Sequence, residues 1–277
     1  MLKSILIGLD GSPTSEPAIE LGILWAKQFS ALLVGLAVVV EPSIHMSEPE
    51  PIGGDGSNRE DDGHAKEKGR HACEQYLERF AAQCTEAGVS FSLFQGTGPP
   101  DEEILRESHR YDLVLFGHET HFRFAAIDRP NETLWNVLKR ESRPVVIAPP
   151  KLQPGTSVVV AYNGSPHADR ALQAFQSSGL DQGQEVCVLS ADEDREEANR
   201  QAARAVEFLR LHQINAVPHS LAPVNSLSQA ILDAVRQRNA RLLVMGVYGH
   251  STVREFLVGS LTTAILQASP VPVFLCH

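Results

Sequence analysis

The sequence predicts an α/β protein built as two tandem domains, each a doubly wound sandwich around a five-stranded parallel sheet. Three observations predict it. Short apolar runs alternate with longer segments of helical period along the whole chain. The 277 residues are long for one core and comfortable for two. Finally, the turn GLDGSP at Gly8–Pro13 returns as AYNGSP at Ala161–Pro166, each time closing an apolar strand.

The elements follow in order. Ile5–Leu9 is an apolar run ended by the Asp10–Pro13 turn, and reads as the first strand. Thr14–Phe29 carries apolar residues at helical spacing after a polar, acidic start, with Trp25 on its packing face. Leu32–Val40 is apolar throughout, as expected of a strand covered on both faces. Pro42–Gly69 is rich in Gly, Pro and acids and is expected to be a mobile surface loop. Lys66–Ala87 reads as a helix whose Cys73 and Cys84 face the core together; one helix cannot bring them into disulfide range. Strands are expected at Ser90–Phe94, Leu113–Phe116 and Val145–Ala148, and helices at Asp101–His109 and Glu132–Arg140, where Trp135 is a packing residue. The second half repeats the scheme, with strands at Val158–Tyr162, Glu185–Leu189, Ala216–Ser220, Leu242–Met245 and Val271–Leu275. Strand–helix alternation with doubly buried runs implies parallel strands and right-handed crossovers.

The halves align in order. SILIGLDGSPTSEPAIELGILWA answers to SVVVAYNGSPHADRALQAFQS, and NETLWNVLKRESRPVVIAP to GSLTTAILQASPVPVFLCH. The offset is 153 residues at the first pair and 128 at the last, so the first half holds 25 extra residues, most of them in Pro42–Gly69. The Pro/Gly segment Pro149–Gly155 separates a domain over 1–150 from a domain over 151–277. Charge is uneven: residues 1–150 carry 14 basic against 23 acidic side chains, net −9, and residues 151–277 carry 10 against 11, net −1. So acidic a chain is a poor non-specific ligand for nucleic acid or anionic lipid, and the near-neutral second half is the easier place to hold a phosphate. No apolar run reaches the ~18 residues of a membrane span. The N-terminus is interrupted too early for a secretory leader. Four cysteines without metal-type spacing read as buried thiols of a cytoplasmic protein.

Ligands of such sheets bind beyond the carboxyl ends of the strands. In the second half the fourth strand, ending at Met245, runs into GVYGHSTVREFLVGS. Gly246 and Gly249 allow a tight turn that bares backbone amides to an anion. Gly259 and Ser260 then open a helix, with Ser260 as its N-cap, and a helix start suits a phosphate. Arg254 lies between as a cation able to close over phosphates. His250 is either a phosphate contact or an exposed side chain. Ser12 and Ser165 are read as helix caps rather than nucleophiles. His118-Glu119-Thr120-His121 falls one residue short of a zinc motif and is read as a solvated or hydrogen-bonded cluster.

The spacing Gly-x2-Gly-x9-Gly-Ser between strand and helix resembles the nucleotide-binding signature of the universal stress protein family. The two DGSP/NGSP turns and the closing SPVPVFLC are similar as well, so the resemblance spans nearly the whole chain. It implies an adenine nucleotide alpha hydrolase-like fold, a cytoplasmic ATP- or AMP-binding module with or without magnesium, and no established turnover beyond a weak ATPase. It implies that the halves form a pseudo-dimer paired through their last strands. It implies phosphate and ribose contacts at Gly246, Gly249, Gly259, Ser260, Leu261 and Thr262, with Asn163 and Leu189 toward the adenosine. A nucleotide-ordered loop from Gly246 to Gly259 would present a changed surface to a protein partner, with further homodimerisation open. The rival expectation is an interaction protein with vestigial pockets.

The halves depart from the family pattern in opposite ways. The first keeps an acid, Asp10, at the first turn, but Thr120 replaces the second glycine and Asn131-Glu132 replaces Gly-Ser. No triphosphate is expected there, because a Glu carboxylate repels one. The second half keeps the loop but has Asn163 in place of the acid. A single competent site in the second half is the expectation.

Overall fold

The computed structural model describes residues 1–39, 57–118, 120, 132–221, 226–247 and 259–277. The first half runs β1 (Ser4–Gly8), α1 (Ser15–Phe29), β2 (Leu32–Val39), α2 (Ser57–Ala87), β3 (Phe91–Thr97), α3 (Pro100–Ser108), β4 (Leu113–Gly117), α4 (Glu132–Arg140) and β5 (Val145–Ala148). The second runs β6 (Ser157–Ala161), α5 (Pro166–Ser178), β7 (Glu185–Ala191), α6 (Arg195–Leu211), β8 (Ala216–Leu221), α7 (Leu227–Gln237), β9 (Ala240–Gly246), α8 (Ser260–Ala268) and β10 (Val273–Cys276).

Within each half the strand order is the same doubly wound pattern, β3-β2-β1-β4-β5 and β8-β7-β6-β9-β10, all parallel. The two sheets are one. β5 and β10 pair antiparallel, Val145 opposite Leu275 and Ile147 opposite Val273, giving ten continuous strands with a pseudo-twofold axis at the centre. The apolar strand runs are covered on both faces, which is why they show no alternation. One layer of core packs α1, α2, α5 and α6 against the sheet, with Trp25, Phe80, Phe175 and Phe274 all but inaccessible. The other packs α3, α4, α7 and α8 through Ile104, Val137, Ile231 and Ile265. Both layers run unbroken from one half into the other. The N-terminus adds a further tie: the Met1 ammonium donates to Ser177 O at 2.6 Å and Leu2 N–H to Ser178 O at 2.9 Å, satisfying carbonyls at the end of α5.

Three expectations need correction. The backbone of α2 is already helical at Ser57, so residues 57–69 of the expected loop are helix; residues 40–56 lie outside the described residues. Glu60, Asp61 and Asp62 follow closely on Ser57, the sign of charge that a helix start favours. The last strand begins at Val273 because Pro272 has no N–H for the ladder; its carbonyl still accepts from Leu243 N–H at 2.9 Å. Ser12 does not cap α1: its N–H and hydroxyl donate to Asp10 Oδ1 at 3.0 and 2.7 Å, and Ser15 Oγ donates there at 2.5 Å. The other expected cap holds, since Ser165 Oγ accepts from Ala168 N–H at 3.2 Å. Cys73 and Cys84 are both buried and free.

Candidate functional site

At the carboxyl ends of β6 and β7 lies a cavity of about 520 Å³. Ala161, Tyr162 and Asn163 at the end of β6 form its floor, together with Leu189 and Ala191 of β7. Leu227, Ser228 and Ile231 of α7 make one wall; Gly259, Ser260, Leu261 and Ala264 at the start of α8 make the other. The position is the one a doubly wound sheet reserves for a ligand. Among the described residues, none that lines it carries a charge.

Five of the expected site residues meet here: Asn163, Leu189, Gly259, Ser260 and Leu261. Gly259 is the N-cap of α8, and Ser260 the first helical residue rather than the cap. The first intrahelical bond is Thr263 N–H to Gly259 O at 3.1 Å, so the amides of Ser260 and Leu261 precede the helical ladder. A glycine cap brings no side chain of its own to them. Helix amino ends of this kind favour anions.

Met245 and Thr262 do not line the cavity; both are 0% exposed. Gly246 also takes a different part. Its φ is not in the left-handed region, and a Cβ there would stand 2.6 Å from His167 C and 2.7 Å from Ala168 N. The glycine lets the start of α5 pack on the end of β9. Gly117 repeats this in the first half, where a Cβ would meet Thr14 O at 2.1 Å. Gly249, His250 and Arg254 lie outside the described residues, as do Glu119 and His121. Sequence reasoning missed the α7 wall, although Leu227 and Ile231 stand four apart on an amphipathic helix capped by Ser226, whose Oγ accepts from Gln229 N–H at 3.3 Å.

The two turns differ in chemistry. Asp10 Oδ1 receives three donors from its own turn. Among the described residues, Asn163 Oδ1 accepts one donor, Ser165 N–H, at 3.2 Å. Behind the turn, Tyr162 OH donates to Asp169 Oδ1 at 2.5 Å; burial, then that bond, raises the phenol's pKa. Across the Gly246 junction His167 and His277 meet edge to face with ring centroids 4.8 Å apart. Burial and the neighbouring Arg170 hold both imidazoles below their ordinary pKa, His167 being lowered further by His277.

The crevice of the first half is built otherwise. Matching Ile104–Leu105 to Ile231–Leu232 and Val137–Leu138 to Ile265–Leu266 sets Asp101 at the position of Ser228 and Asn136 at that of Ala264. Asn136 Nδ2 donates to Asp101 Oδ2 at 3.1 Å, and Arg140 stands 3.9 Å from the same carboxylate. Thus α3 and α4 are tied together where α7 and α8 leave a cavity. Thr120, in place of the second loop glycine, is buried and donates its hydroxyl to Gly117 O at 2.9 Å. Among the described residues, no group of three or more His, Cys, Asp or Glu is placed to hold a metal ion, and no helix is long and apolar enough to cross a membrane.

Known proteins are similar to this chain in sequence or in fold. A universal stress protein from Synechocystis, Slr1230, is 22% identical over 163 residues, covering 59% of this chain and 57% of that protein, so the match spans little more than half its length. A Thermus aquaticus universal stress protein is 28% identical over 132 residues, 43% of this chain and 96% of that one. The crystal structure of a universal stress protein from Archaeoglobus fulgidus superimposes over 99% of this chain and 96% of its own, with a TM-score of 0.71 at 22% identity. The sequence model of the universal stress protein family matches twice in tandem, over residues 1–149 and 156–277. With both halves matched, and both wound in the same order about a shared sheet, the chain belongs to the universal stress protein family.

Proposed function

We propose that this protein is a nucleotide-responsive binding module whose one competent site is the second-half cavity, taking ATP or AMP. The observation that carries the reading is the cavity itself: about 520 Å³, at the carboxyl ends of β6 and β7, bounded by the amino end of α8. An apolar floor and wall suit a base and sugar, and backbone amides at a helix start suit phosphate. The α3–α4 tie through Asp101, and the filled turn at Thr120, support a first half without a ligand. Bound nucleotide would favour one arrangement of α8 against α7 and so alter a surface that a partner protein reads. Isothermal titration with ATP and with AMP tests this. Saturable binding of one nucleotide per chain is expected, and Gly259→Asp should abolish it by setting a carboxylate at the helix start. Absence of heat at millimolar nucleotide would remove the reading.

Two observations favour a second reading, a scaffold that acts through its surface alone. The first half has converted its crevice into a structural joint, and Asn163 leaves the second without the acid at the turn. On that reading partner binding survives Gly259→Asp unchanged.

A further inference from the structure

We propose that Asn163 selects the ligand as a hydrogen-bond donor, so that the bound molecule presents an acceptor atom at the end of β6; this rests on the reading of the cavity as a nucleotide site. An asparagine amide has two faces of opposite polarity, and the turn decides which one the ligand meets. Ser165 N–H can only donate, and it bonds Asn163 Oδ1 at 3.2 Å, which fixes the oxygen toward the turn. Nδ2 is then the polar atom that Asn163 offers to the cavity it lines. Asp10, at the pseudo-equivalent position, offers acceptors only and has one oxygen engaged by three donors of its own turn. The two halves have therefore reversed the polarity of the same position. Nothing else on the β6 floor replaces the lost acceptor side chain, since Ala161 is apolar and the Tyr162 hydroxyl is committed to Asp169. An adenine nucleotide has acceptors that match a donor here: the ring nitrogens and the ribose oxygens.

The consequence runs against simple analogy. Restoring the acid by Asn163→Asp keeps a carboxylate oxygen for Ser165 N–H and so preserves the turn, but it removes the donor and adds a negative charge near the ligand. Binding should weaken about tenfold in Asn163→Asp, and by a similar factor in Asn163→Leu, because a lone-pair acceptor of the ligand is left unpaired in the cavity. Titration of AMP, 1-deaza-AMP, 3-deaza-AMP, 7-deaza-AMP, 2′-deoxy-AMP and 3′-deoxy-AMP into the unaltered chain and both variants identifies the acceptor. One analogue should bind the unaltered chain more weakly than AMP yet show no such deficit in Asn163→Leu. Circular dichroism melts confirm that the variants fold. Equal or tighter binding by Asn163→Asp, or analogue losses identical in all three chains, would overturn the assignment while leaving the nucleotide site standing. No binding by the unaltered chain would remove the site, and this assignment with it.

Discussion

At the scale of single residues, side chains that look chemical are often structural, and the reverse. The cysteines illustrate the first case. Burial pushes the Cys73 thiol up to about 12 and the Cys84 thiol up to about 11, and raises those of Cys187 and Cys276 as well. A thiolate is the reactive form, so the native chain should resist iodoacetamide at pH 8 and take up four equivalents only when unfolded, as mass spectrometry would show. The same shifts have a sign for stability. Folded thiols with raised pKa stabilise fully below the unfolded value near 9 and lose that contribution as pH climbs toward 11 to 12. Alkaline unfolding should therefore steepen above pH 9, and less so in Cys73→Ala/Cys84→Ala. Gly246 repeats the first case. Its spacing reads as part of a phosphate loop, but spacing alone cannot tell a turn glycine from one that another backbone touches. Gly246→Ala should cost about 2–4 kcal/mol in denaturant unfolding, since only backbone stands in the way of the Cβ. Gly88→Ala, with φ +68° but open space around it, should cost about 1 kcal/mol.

At the scale of elements, the positions of the strands were legible because runs covered on both faces leave a plain apolar signal. Helix starts were less so. Ser165 caps α5 as its place after Asn163-Gly164 suggests, whereas Ser12, in nearly the same four letters, is drawn to the Asp10 carboxylate instead. One atom's difference, oxygen for nitrogen at the turn, redirects the neighbouring hydroxyls, and periodicity carries no such information. The α7 wall of the cavity was illegible for a related reason: Leu227 and Ile231 look like any amphipathic stripe until a cavity opens before them. The Asp101 joint is testable as an element property. Asp101→Ser and Asn136→Ala should each cost about 1 kcal/mol, and the double variant little more than either alone, because both remove the same α3–α4 bond. Additive losses in a denaturant double-mutant cycle would show that the two side chains act separately.

At the scale of the whole molecule, the tandem repeat declares itself in the sequence, but the way the halves join does not. VVIA and VFLC are apolar on both faces whichever strand lies beside them, so the pairing of β5 with β10 was implied only by resemblance. The structure makes that seam the middle of both core layers. Phe274 of β10 is fully buried and meets Phe175 edge-on, with ring centroids 6.4 Å apart, in the same layer as Trp25 of the first half. Domains that share cores in this way should unfold as one unit. The chain offers a direct measurement, because both tryptophans, Trp25 and Trp135, lie in the first half while backbone circular dichroism reports on both. Denaturant transitions followed by the two signals are expected to coincide, and Phe274→Ala should shift both by about 3–5 kcal/mol although it lies in the second half. Nucleotide bound only in the second-half cavity must then protect the tryptophans of the first, since a ligand that binds the native state stabilises the whole cooperative unit. Two separated transitions, or a ligand shift seen by circular dichroism and not by fluorescence, would mean that the β5–β10 seam joins two independently stable domains.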